Sequence, residues 1–217
     1  MVVNAMTIRS FVALPIARET ANQLGDVAAK MSYQDKSGAV RWVDQENYHV
    51  TLAFLGEQHE EDLEVLAEQL DYHIRQTEFQ AVLSHLSPFP ETRPKLVAAM
   101  MERCVEIKSL QQQVISAIKS ADILIDKRKF IPHVTLGRYR NSRNTYAGNI
   151  PLHVSFEPII DEVVLFESVL TATGAEYEPI FRFPLDSFLD QHDERYAHKN
   201  NTEFAPSEVQ EFVVDEG

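Results

Sequence analysis

Two rhythms of apolar and polar positions recur along the chain. Leu63, Leu66, Leu70 and Ile74 stand 3, 4 and 4 residues apart, and Ile107, Leu110, Val114 and Ile118 repeat that spacing. At 3.6 residues per turn each set lines one face, so two amphipathic helices are predicted. A third is expected over residues 17–32 from their alanine-rich composition. Elsewhere, short β-branched and aromatic runs bounded by turn formers predict strands. These are 7–15, ended by Pro15; 40–43; a strand from His49 closed by Gly56; and 79–86, broken at Ser87-Pro88-Phe89-Pro90. Further strands are expected at 95–101, at His133 onward, at 152–157, at 161–170 and at 177–183. Strands and helices joined by short antiparallel-type links point to an α+β fold.

Within two of these strands the same tetrapeptide returns: His49-Val50-Thr51-Leu52 and His133-Val134-Thr135-Leu136. Residues i and i+2 of a strand share a face. Each His therefore shares a face with its Thr, while Val and Leu turn to the opposite, core-forming side. Histidine can give or take a proton near neutral pH, and a threonine hydroxyl can donate to a phosphate oxygen. Side by side, the two strands would present two imidazoles and two hydroxyls on one surface. Each half of the chain offers strands, helices and one His-x-Thr strand, which looks like an internal duplication at low identity.

Composition narrows the picture. The 217 residues, 44% of them apolar, suffice for one sizeable core or two joined lobes. The net charge of −13 argues against broad, non-specific nucleic-acid binding. About half of it falls from Asp186 onward, in an acidic tail expected to be partly disordered. Lys127, Arg128, Lys129, Arg138, Arg140 and Arg143 make the neighbourhood of the second motif locally basic, enough to grip one phosphate. Cys104 is the single cysteine, so no intrachain disulfide forms, which suits a reducing compartment; an inert thiol is expected there. No signal-like or membrane-length apolar run is found, so a cytoplasmic protein is expected, with residues 1–5 a loose leader.

The pair His-x-Thr-Leu-x-Phe-Leu-Gly and Pro-His-x-Thr-Leu-x-Arg resembles the two-histidine (2H) phosphoesterase superfamily, and within it the RNA 2′,3′-cyclic phosphodiesterase (2′-5′ RNA ligase) family. The resemblance spans most of residues 7–185 and includes Arg9 to Pro15, Val40 to Val43, Ser87 to Pro90, and Gly174 to Tyr177 with Phe183 to Leu185. It implies a two-lobed fold of duplicated antiparallel sheets, with helices outside and a central cleft, in a domain over 1–185 followed by the 186–217 tail. The implied activity is hydrolysis of RNA 2′,3′-cyclic phosphate ends to 2′-phosphomonoesters, with reverse 2′-5′ ligation. The implied roles are His49 protonating the leaving O3′ and His133 activating water. Two imidazoles flanking a phosphate supply both proton transfers, and Thr51 and Thr135 would hold its non-bridging oxygens.

Two further residues carry alternatives. Arg138 lies five residues after His133, so an unbroken strand aims it at the opposite face. A bulge at Gly137 would re-aim it, and the resemblance implies a phosphate-binding Arg at that offset. Phe11 is either a platform for a base or a core residue. No cofactor or metal is expected, since no third ligand accompanies the two histidines at zinc spacing. A monomer acting on RNA ends or small cyclic nucleotides, away from membranes, is expected. Rival readings are a phosphodiesterase for 2′-5′ oligonucleotides or another cyclic nucleotide, and a non-catalytic module that binds a nucleotide or RNA end.

Overall fold

The computed structural model describes residues 7–125, 129–140, 146, 148, 150, 153–171 and 175–187. The chain opens with β1 (Thr7–Pro15), α1 (Arg18–Gln34) and β2 (Val40–Trp42). A single helical turn at Gln45–Asn47 leads into β3 (His49–His59) and α2 (Glu60–His73). There follow β4 (Phe79–Gln80), β5 (Leu83–Phe89), β6 (Leu96–Met101), α3 (Val105–Ser120) and β7 (His133–Tyr139). The described chain closes with β8 (Ile159–Ile160), β9 (Glu162–Leu170) and β10 (Ala175–Pro184).

Eight strands form one antiparallel sheet in the order β10-β9-β1-β3-β7-β6-β5, with β2 pairing β7 off that path. The sheet is nearly divided in two. β3 and β7 pair only at Val50 and Val134, both fully buried. To one side lie β3, β1, β9 and β10; to the other lie β7, β6 and β5. Where β3 has parted from β7, β2 pairs with β7 over Val40–Trp42 against Gly137–Tyr139. This is the expected α+β, two-lobed arrangement of antiparallel half-sheets.

Helix formation follows the spacing read above. α2 buries Leu63, Leu66 and Leu70, and α3 buries Ile107, Leu110, Val114 and Ile118. Glu60, Glu61 and Asp62 occupy the first turn of α2, where the helix dipole favours negative charge. Cys104 caps α3, its Sγ accepting from the Ile107 amide at 3.5 Å. Burial pushes its thiol pKa up, which keeps it unreactive.

Several expected boundaries move: β3 continues past Gly56 to His59, and the run expected as one strand at 79–86 divides into β4, which pairs with β8 in a separate sheet, and β5. The break at Ser87 to Pro90 comes later, because β5 runs through Pro88 to Phe89 against β6. β5 lies at the sheet edge, where a proline's missing N–H need not face a partner. The expected strand at 152–157 is reduced to one bridge, Phe156 to Leu83, with residues 151–152 outside the described residues. The leader at 1–5 and the tail from 188 also lie outside the described residues. No helix among the described residues is long and apolar enough to cross a membrane.

Candidate active site

Each motif histidine is the first residue of its strand, and each is oriented in the same way. The His49 Nδ1–H donates to the Asn47 carbonyl at 2.7 Å. The His133 Nδ1–H donates to the Ile131 carbonyl, also at 2.7 Å. A carbonyl can only accept, so Nδ1 must carry the proton, and Nε2 of the neutral ring remains an acceptor. The backbone feeding each ring is itself set locally. Before β3, the Asp44 side chain caps the Gln45–Asn47 turn; before β7 stands Pro132.

Strand parity places the hydroxyls beside the rings. In both motifs the His and Thr are half-buried, while the intervening Val and the following Leu are buried in the core. Continuing the Val50–Val134 register sets His49 across from Thr135 and Thr51 across from His133. The two motifs thus form a four-residue patch with an approximate two-fold relation.

Both strands then break parity at the same point. On β7, Thr135 faces Ala98 and Gly137 faces Val97, so Leu136 is an extra residue. On β3, Thr51 faces Ala13 and Ala53 faces Val12, so Leu52 is an extra residue. Each bulge turns the residue five after the His back to the His face. On β7 that residue is Arg138; on β3 it is Phe54, 56% exposed. A Cβ on Gly137 would run into Val40 Cγ1 and stand 3.2 Å from Trp42 Cε3, so Gly137 faces the core side. Arg138 therefore lies on the histidine face, where it is exposed, rather than on the opposite face that an unbroken strand would give it.

An aromatic wall backs the site. The Phe11 ring lies 5.0 Å from His49, stacks on Phe166 at 5.3 Å and meets Tyr177 edge-on at 5.0 Å. Tyr177 also meets His49 edge-on at 5.1 Å, and Phe89 lies 4.6 Å from His133. With 4% of its surface exposed, Phe11 offers no open face to a base. Of the two readings it takes the core one, packing behind His49. Phe54, Phe89, Phe166 and Tyr177 were not singled out in the sequence. Only Phe54 carried a signal, its offset from His49 matching that of Arg138 from His133.

Burial among these rings penalises the imidazolium form. His49 is held at about 4, below its ordinary 6.5, first by burial and then by the Arg138 and His133 charges, against the opposing Asn47 bond. His133 is lowered for the same first reason, with Arg138 adding to it and the Ile131 bond opposing it. Both imidazoles are thus held below their ordinary value, and the cation that lowers both is Arg138. Among the described residues no three His, Cys, Asp or Glu side chains converge as metal ligands.

Comparison with known proteins adds an independent line. A family model described as LigT-like phosphoesterase matches residues 14–98. The RNA 2′,3′-cyclic phosphodiesterase of Thermotoga maritima is 25% identical over 187 residues, covering 84% of this chain and 98% of that protein. The enzyme of the same name from Aeropyrum pernix is 30% identical over 152 residues, covering 65% of this chain and 84% of its own length. Among solved structures, E. coli LigT complexed with 3′-AMP aligns with a TM-score of 0.70 at 26% identity, over 82% of this chain and 98% of that one.

Proposed function

The chain belongs to the LigT-like phosphoesterase family, and from that premise we propose that it hydrolyses RNA 2′,3′-cyclic phosphate ends to 2′-phosphomonoesters. The observation that carries the reading is the matched pair of histidines. Each bonds a backbone carbonyl through Nδ1, which leaves Nε2 of the neutral ring as the acceptor, each shares its strand face with a threonine, and the two strands are joined at one seam. A 2′,3′-cyclic phosphate seated between them meets a proton acceptor on one side of phosphorus and a proton carrier on the other.

In the proposed reaction His133 takes a proton from water as its oxygen attacks phosphorus. The P–O3′ bond breaks in line, and His49 gives its proton to O3′, leaving the phosphate on O2′. Thr51, Thr135 and Arg138 donate to the non-bridging oxygens, where charge accumulates. With a 5′-hydroxyl in place of water as the attacking group, the same steps break P–O3′ and join the 5′-oxygen to phosphorus as a 2′-5′ linkage, and no nucleotide cofactor is consumed. Each proton transfer is worth roughly 10²–10⁴ in rate. His49→Ala and His133→Ala should each lower turnover of a nucleoside 2′,3′-cyclic phosphate by about that factor. Near-native turnover in either variant would sink the mechanism, and a 3′-phosphate product would overturn the assigned leaving group.

The depressed pKa values add a pH signature. The acid needs a protonated ring, and in the free protein both rings hold protons poorly. The optimum of kcat/KM, which reports the free enzyme, should therefore lie below the ordinary histidine value of 6.5. A bound phosphate anion favours the imidazolium, so the kcat profile should shift to higher pH. Coincident profiles with an alkaline optimum would contradict this account.

One observation favours a second assignment, with His49 the base and His133 the acid: His49 is the ring held as low as about 4. A cyclic phosphate with sulfur in place of the 3′ bridging oxygen separates the two. Its thiolate leaves without protonation, so it restores turnover only to the variant that lacks the acid.

A further inference from the structure

Across β2 and β7, Arg41 pairs directly with Arg138. Directly opposed residues of an antiparallel pair point to the same face, with Cα atoms about 4.5–5.5 Å apart. Arg138 is on the histidine face, so Arg41 is as well. The neighbours of Arg41 agree with this: Val40 is buried and Trp42 half-buried on the other side, whereas Arg41 is exposed. Two like charges directly opposite each other destabilise a sheet. Among the described residues neither guanidinium meets a carboxylate. β2 holds Arg41 in the gap that opens where β3 parts from β7 after Val134. The cationic surface thus extends one strand beyond the residues assigned to the scissile phosphate.

We propose that Arg41, with Arg138 beside it, forms a second phosphate subsite that takes the phosphodiester on the 5′ side of the terminal ribose. The inference rests on the cyclic phosphodiesterase reading and deepens it. A 2′,3′-cyclic end has no nucleotide beyond it, so its neighbouring phosphate can only be the one on the 5′ side. A guanidinium fork suits a phosphodiester, donating two parallel N–H bonds. That anion would also relieve the Arg–Arg repulsion. The preferred substrate is then an oligonucleotide end, with a free nucleoside cyclic phosphate occupying only half of the site.

The test compares kcat/KM for adenylyl-(3′-5′)-adenosine 2′,3′-cyclic phosphate with that for adenosine 2′,3′-cyclic phosphate. The native protein should favour the dinucleotide by about tenfold or more, the worth of one charge-assisted contact. Arg41→Gln should bring the ratio near one, and Arg41→Lys should retain part of it. A ratio of one in the native protein, or an unchanged ratio in Arg41→Gln, would overturn the proposal. Because the readout is a ratio, a general loss of folded protein does not imitate it. Should neither substrate turn over, the proposed activity fails, and binding reads the subsite separately. Adenosine 3′,5′-bisphosphate must then bind the native protein more tightly than adenosine 3′-phosphate, and Arg41→Gln must lose that advantage. Equal affinities in the native protein would overturn the subsite.

Discussion

The imidazoles of His49 and His133 sit in a setting that makes charge costly until an anion arrives. Their Nδ1 bonds favour the cation, but burial outweighs them, with Arg138 on the same side as burial. This has a consequence for stability. A histidine lowered on folding binds fewer protons in the folded chain than in the unfolded one between its two pKa values. For His49 that window runs from 6.5 down to about 4. Stability contributed by keeping the ring neutral is present above the window and is lost as pH falls through it. His49→Gln removes the titrating group, so its stability relative to the native protein should rise as pH falls below 6.5. Thermal midpoints of the two proteins across that range, at constant ionic strength, check this; parallel curves would refute it.

The elements that carry these residues depend on two bulges. The alternation of His, Val, Thr and Leu is visible in a single strand's sequence, and the face assignment of both motifs follows from it. A bulge is different, because it is a property of pairing. Leu136 is extra only relative to the two residues Val97 and Ala98 on β6, and Leu52 only relative to Val12 and Ala13 on β1. One strand read alone therefore aims Arg138 the wrong way. The same limit hid the edge position of β5, without which a strand through Pro88 looks forbidden. Phe11 was ambiguous for a related reason, since its burial comes from Phe166 and Tyr177, more than 150 residues away in the chain. Gly137 is where the β7 bulge can be tested. Its added Cβ would meet buried Val40 and the Trp42 ring rather than a flexible chain end. Gly137→Ala should cost about 1–3 kcal/mol of stability, as overpacking does. It should also reduce turnover by shifting Arg138, to be read as kcat/KM at a temperature where the variant remains folded. Native stability together with native turnover would show that this strand needs no close approach to β2.

At the scale of the whole molecule, two half-sheets meet at one residue pair. The repeat of His-Val-Thr-Leu announced two halves, but the single Val50–Val134 seam and the entry of β2 beside it are long-range facts that no local pattern carries. Net charge, by contrast, is fully legible in composition, and at −13 it opposes a long polyanion. The proposed site therefore supplies local attraction at Arg138 and Arg41 in a chain whose net charge is negative. Affinity for RNA ends should rise from one nucleotide to two and then level off. The salt dependence should do the same. With two phosphates neutralised, the slope of log K against log salt for a single strand should settle near about −1.4, at roughly −0.7 per phosphate. Binding titrations of 3′-phosphorylated oligonucleotides of increasing length, each at several salt concentrations, measure both quantities. A slope that steepens with every added nucleotide would mean a longer basic track than Arg138 and Arg41 provide. A slope near zero at every length would mean that neither arginine meets a phosphate.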